Sequence, residues 1–168
     1  MQTWVDRLSS LLYREKGDGG IRVRHLSIID FLTSSKCPKD FQVDIKQSNL
    51  DAGLACLRIM NDELKFNICN LESSLIPNHD VKDLMDRIKE NISDALQYSC
   101  IHWSTHVCYT PYSKDSTVPE HLDEFFKNER PLYWMEVLSL LGKVGVGIRD
   151  LQEVISWAEA SVHWDHIV

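Results

Sequence analysis

Hydrophobic and polar positions follow two regimes along the chain. A short helical start from Gln2 to Leu8 is followed by Leu11, Leu12 and Tyr13. Then come Gly17-Asp18-Gly19-Gly20, and Ile21 and Val23 interleaved with Arg22 and Arg24. Alternation of apolar and polar residues with period two is the pattern of a half-buried strand. The glycine-rich cluster supplies the positive-φ positions of a turn, so a β-hairpin is predicted. Ser27, three residues before Asp30, makes a capping-box-like start for a helix carrying Ile28, Phe31 and Leu32.

Beyond an irregular stretch from about Lys36 to Lys46, containing Pro38 and an extended Phe41-Gln42-Val43-Asp44, the pattern changes to the helical period. Leu50, Leu54 and Leu57 mark one face. Val81, Leu84, Met85 and Ile88 recur at i, i+3, i+4 and i+7, and Ile92, Ala95, Leu96, Cys100, Trp103 and Val107 continue the theme. Thr117 and Glu120 form a capping box around Pro119, opening a helix that buries Leu122, Phe125 and Phe126. Pro131 opens another, with Trp134, Val137, Leu138 and Leu141 on its apolar face and Gly142 placed to end it. A last helix runs through Ile148, Leu151, Ile155 and Ala158. The expected fold is mainly α. Residues 1–35 form the C-terminal part of a winged-helix module with its β-hairpin, and residues 36–168 form an antiparallel helical bundle.

Composition narrows the class. A chain of 168 residues, 43% hydrophobic and 26% charged with only 7 Gly and 5 Pro, is globular and buries roughly 70% of its accessible surface on folding. The net charge of −7 offers no long-range attraction to nucleic-acid phosphates or anionic lipid. No run of about 18 apolar residues is present to span a bilayer. The five cysteines, Cys37, Cys56, Cys69, Cys100 and Cys108, are odd in number and widely spread, unlike a secreted disulfide framework. The opening residues do not resemble a signal peptide. These features together point to a reduced, cytoplasmic setting, where the Asn91-Ile92-Ser93 glycosylation sequon carries no meaning.

Candidate chemistry is sparse. His102 and His106 lie one turn apart on a predicted helix with Cys100 and Cys108 nearby, and two imidazoles so spaced can share a zinc ion. Ser104 and Thr105 stand where a zincin needs its glutamate, and the two cysteines are two turns apart. Surface or half-buried histidines account for the pattern better, and no metal site is expected. Gly142-Lys143-Val144-Gly145-Val146-Gly147 superficially suggests a phosphate loop. It lacks the Lys-Ser/Thr ending and sits between helices rather than after a strand. Cys56 and Cys69 have no activating neighbours in sequence. Asp123-Glu124 reads as a solvated helix face, while Trp103, Trp134 and Trp157 fall on apolar stripes. No catalytic residue is expected.

Five ordered stretches carry a further signal. Ile21-Arg22-Val23-Arg24-His25-Leu26-Ser27-Ile28-Ile29-Asp30-Phe31-Leu32 resembles the histidine-containing segment, His-x-Ser-(apolar)-x-Asp-Phe-Leu, in the winged-helix part of fungal NACHT proteins. Leu26 stands where the common form has proline. Phe41-Gln42-Val43-Asp44 with Leu54-Ala55-Cys56-Leu57-Arg58-Ile59-Met60 looks like the following stretch of that family. So do Phe66 to Leu71, Ala95 to Trp103, and Leu132 to Ser139. The resemblance runs from about Leu11 to Trp157.

The resemblance implies a piece of a STAND-class NTPase, a nucleotide-controlled switch often used in innate immunity or self/non-self recognition. In that family a nucleotide-binding core precedes the winged helix, and WD-type or other repeats commonly follow the helical segment. A winged-helix histidine touches the bound ADP and helps hold the closed state. His25 would inherit that role, through a charge-assisted bond to a terminal phosphate made only when the domains are closed. A histidine at a strand-to-helix junction can equally hydrogen-bond the backbone there. Lacking a Walker A motif, the chain is expected to bind no cofactor in isolation, and ADP or ATP only beside such a core. Whether Met1 starts a short gene product or a truncated one is open. The alternative expectation is a freestanding helical module that binds a protein partner or itself without nucleotide dependence.

Overall fold

The computed structural model describes residues 8–15, 21–110 and 117–164, with side chains through residue 160. The helical start expected at Gln2–Leu8 and the glycine turn at Gly17–Gly20 lie largely or wholly outside the described residues. The chain divides into two compact units, residues 1–45 and 46–168. It is mainly helical, with a two-stranded antiparallel hairpin preceding a helical bundle.

In the first unit, β1 (Leu12–Arg14) pairs with β2 (Ile21–Val23), placing Leu12 opposite Val23, Tyr13 opposite Arg22 and Arg14 opposite Ile21. Arg22 meets Glu15 at 2.7 Å, and Arg24 lies over the Tyr13 ring while its Nε donates to the Ser9 carbonyl. The chain stays extended through His25 and then enters α1 (Leu26–Leu32). The helix therefore starts before Ser27, which lies inside it and caps nothing. The capping box is not formed because the chain bends at Arg24 and His25, in extended backbone, takes the N-cap position, which leaves Ser27 inside the first turn. The irregular segment after residue 35 goes with this unit. Val43 N–H donates to the Leu32 carbonyl and the Gln42 amide to that of Ser34.

The second unit comprises α2 (Ile45–Glu63, from Lys46 onward), a 3₁₀ turn at Asn78–Asp80, α3 (Leu84–Asn91), α4 (Asp94–Cys108), α5 (Val118–Lys127), α6 (Arg130–Leu140) and α7 (Val144–Trp164). The chain breaks helical form between α3 and α4. There the Ser93 hydroxyl accepts the Leu96 N–H and donates to Glu63, so that one serine caps α4 and ties it to the end of α2. Met85, on the expected stripe of α3, is 65% exposed.

The centre of the bundle is aromatic. Trp103 and Phe125 lie 5.8 Å apart, Trp103 and Trp134 meet edge to face at the same distance, and all three rings are fully buried. The indole N–H of Trp134 donates to the Cys100 carbonyl at 2.9 Å, satisfying its one polar atom. Around these rings pack Leu57, Met60, Ile92, Leu96 and Val137, each at most 1% exposed. Helix α4 lies against α6 and α7, and α6 also against α5 and α7. Helix α2 comes close to α4 at Gly53, where an added Cβ would sit 3.3 Å from Val107.

Several local readings are corrected. Thr117 starts α5 without a side-chain cap bond, because its backbone (φ −80°, ψ 0°) is not the extended form that brings a capping oxygen over the helix end. Phe126 is half exposed and meets Phe125 edge to face. In α7 the buried positions are Gly147, Asp150 and Val154, while Ile148 and Ile155 are 56% and 55% exposed. The seated face of this helix is thus rotated from the one its isoleucines mark.

Candidate functional site

His25 occupies the junction between β2 and α1 in an extended conformation (φ −135°, ψ 133°). Its carbonyl accepts the Ile28 N–H at 3.2 Å, which starts the helix, and its imidazole does not cap that helix. The side chain is exposed and lines a cavity of about 580 Å³ whose walls include Leu11, Ile28, Phe31 and Phe41, with Ser10 and Ser27 as further polar groups. A mostly apolar recess with a few polar groups has the usual make-up of a site that another molecule fills. Apolar side chains of the unit are widely open: Leu26 is 78% exposed, Phe41 68% and Phe31 48%. Among the described residues before Lys46, Cys37 alone is buried.

In the second unit the structure places His102 and His106 on α4 beside Tyr98, one turn further back. The Tyr98 ring stacks obliquely on His102 at 4.7 Å. Its hydroxyl lies 2.8 Å from Nε2 of His106, and Nδ1 of His106 lies 2.8 Å from the Asn49 side-chain oxygen. That oxygen only accepts, so Nδ1 carries the proton and Nε2 accepts from the tyrosine. Burial, then the nearby His102, push the His106 pKa below its ordinary value, in keeping with a neutral ring. Both nitrogens of His106 are therefore engaged. Cys100 is fully buried and its thiol is pushed up to about 12, chiefly by burial. Burial with Glu153 and Asp150 nearby raises Cys108 to about 11. Such thiols are poor ligands and poor nucleophiles. Among the described residues no three His, Cys, Asp or Glu side chains converge as a metal site.

The glycine-rich run at Gly142–Gly147 joins α6 to α7. Gly142 adopts φ +66°, its N–H donates to the Ser139 carbonyl, and Lys143 N–H donates to Leu138 at 2.7 Å. This is a Schellman ending, the left-handed cap that glycine adopts without strain. Its backbone donors close the helix, leaving them unavailable to a phosphate. Val146 N–H likewise returns to the Lys143 carbonyl.

Two groups were not singled out by sequence reasoning. Glu136 on α6 accepts the backbone N–H groups of Asn67 and Ile68 at 3.1 and 3.2 Å, holding a loop in which Asn67 and Asn70 have positive φ. Arg87 secures the same loop through the Asn70 carbonyl and Glu72, both at 2.7 Å. Asp150 on α7 is 1% exposed, and its Oδ2 has no hydrogen-bond partner. The signal available in sequence was its place three residues after Gly147 and four before Val154. That spacing aligns all three on one helix face.

Compared with known proteins, the chain matches no family model, and no curated protein or solved structure is significantly similar to it. Among the described residues no helix is long and apolar enough to cross a membrane.

Proposed function

We propose that the chain is a non-catalytic regulatory and linker region of a fungal NACHT/STAND-type signalling NTPase. Working in the cytoplasm, it couples the nucleotide state of a separate core to C-terminal sensor repeats in an innate-immune or self/non-self response. The observation that carries this reading is the make-up of the first unit. It is a hairpin and helix whose apolar side chains stay open, with His25 exposed beside an apolar recess. Such a partial winged helix is suited to lie against a partner domain that covers it. An exposed imidazole at that position can donate to a phosphate once the partner is seated. The resemblance of Ile21–Leu32 to the NACHT winged-helix segment supplies the identity of that partner.

The purified chain alone is expected to hydrolyse no ATP. Supplied in trans to a nucleotide-binding core of this class, it should slow ADP release, and His25→Ala should restore release by about tenfold, the scale of one charge-assisted hydrogen bond. ATP turnover by the chain itself, abolished by a single substitution within it, overturns the reading. A freestanding interaction module is favoured instead by Leu75, Phe66 and Leu132, which are 90%, 76% and 71% exposed on the second unit. It requires self-association or partner capture that is indifferent to ADP, so the same pull-down with and without ADP separates the two.

A further inference from the structure

Asp150 sits in the seam where α7 meets α4 and α6, and its surroundings do not suit a charge. The residue is 1% exposed and its Oδ2 has no hydrogen-bond partner. The facing Ser104 hydroxyl on α4, itself fully buried, also makes no well-formed hydrogen bond. It stands close enough to favour the carboxylate, and is the largest of the effects that oppose burial. Among the described residues Arg149 is the one cation near the group; it lies 3.9 Å from Oδ1 and is 63% exposed, so solvent screens it. Two further titratable groups face the carboxyl: Glu153 on α7 and Cys108 on α4. The first repels a carboxylate, and the second is a thiol held neutral. Helix α6 meets this stretch of α7 with apolar atoms, Leu138, Met135 and Trp134, packed tightly around Gly147.

From this geometry we infer that α7 is a proton-gated helix. It is firmly seated on α4 and α6 while Asp150 is neutral, and loosened from them when Asp150 ionises. A buried carboxylate with an oxygen left unpartnered destabilises the seam, and the simplest relief is for α7 to swing the group into water. Release exposes Gly147 and Val154 together with Asp150, since all three share the seated face. The inference is independent of the proposed regulatory role.

The direction with pH follows from the carboxyl. Burial raises its pKa from 3.8 to about 6, outweighing the lowering by Ser104 and then Arg149, while Glu153 adds a last, smaller push upward. When α7 opens, Asp150 returns to the ordinary value. Between these two values the seated form binds more protons than the open one. Seating is therefore strongest below about pH 4, weakens as pH rises towards 6, and is constant above that.

Amide hydrogen exchange of the full chain, corrected for intrinsic rates, reads this directly. Between pH 5 and pH 7.5 protection in α7 should fall by about tenfold, while protection in α2 is unchanged. Asp150→Asn should flatten the α7 profile, and so should Asp150→Leu. Should both variants fail to fold, the carbon-13 titration of the wild-type Asp150 carboxyl decides, with a midpoint near 6 expected. A midpoint below 4.5, an α7 profile that is pH-independent in the wild type, or a loss of protection shared equally by every helix overturns the inference.

Discussion

Removing the Tyr98 hydroxyl is the most direct way to read the state of His106. The tyrosine donates to Nε2 and Asn49 accepts from Nδ1–H, so the pair holds one neutral tautomer. Tyr98→Phe takes away the bond that favours the unprotonated ring, and the His106 pKa should rise towards its ordinary value. A histidine-ring NMR titration of wild type and variant checks this, and an unchanged midpoint would mean the hydroxyl bond has no weight. The sign for stability is set by the wild-type shift. A histidine whose pKa is lowered in the folded state contributes stability above the ordinary imidazole value and loses it as pH falls below that. Its slope is opposite to that of Asp150, so the two are separable in one pH series. At the same scale, Glu136→Gln leaves one oxygen to serve two backbone donors and should cost about 1–2 kcal/mol. Urea unfolding measures the loss, and Asn67 and Ile68 amide exchange locates it.

At the scale of elements, α7 shows what the sequence made plain and what it concealed. Gly142 was readable as the end of α6 because a left-handed cap has a residue preference of its own, and the structure gives it φ +66° and the Schellman bonds. The hairpin was readable from period two, since Ile21 and Val23 alternate with arginines whatever covers them. The seated face of α7 was concealed because Ile148 and Ile155 form a better apolar stripe than the true one. That one is built from a glycine, an aspartate and a valine. Hydrophobicity marks a face only when shape does not override it, and here close approach to α6 selects Gly147. An added Cβ there would stand 2.6 Å from Leu138 Cδ1 and 3.2 Å from Met135 Sδ, whereas at Gly145 it meets nothing within 4 Å. Gly147→Ala should therefore cost about 1–3 kcal/mol. Gly145→Ala should stabilise by about 0.5–1 kcal/mol through helix propensity. Equal effects in urea unfolding would show that α7 and α6 are not in close contact at that point. His25 is a candidate only through its surrounding motif, because an exposed imidazole at a strand-to-helix junction has no periodic signature.

For the whole molecule, the two units differ in how completely they bury their apolar residues. Among the described residues, the hydrophobic core and the side chains packed against it draw only on residues from Leu50 onward. The described part of the first unit leaves Leu26, Phe31 and Phe41 open to solvent. Residues 46–168 expressed alone should then fold cooperatively and keep the near-ultraviolet circular dichroism of the Trp103, Phe125 and Trp134 cluster, because the three rings and the core cluster they belong to lie within it. The same truncation should reduce binding of a hydrophobic dye and any concentration-dependent association, since it removes about half of the exposed large apolar side chains among the described residues, Leu26 and Phe41 with them. A truncated chain that loses its tryptophan signature would mean that residues before Lys46 support the bundle core. Dye binding unchanged by the truncation would shift the sticky surface to the second unit, around Phe66, Leu75 and Leu132, and would favour the freestanding module over a winged-helix remnant awaiting its partner.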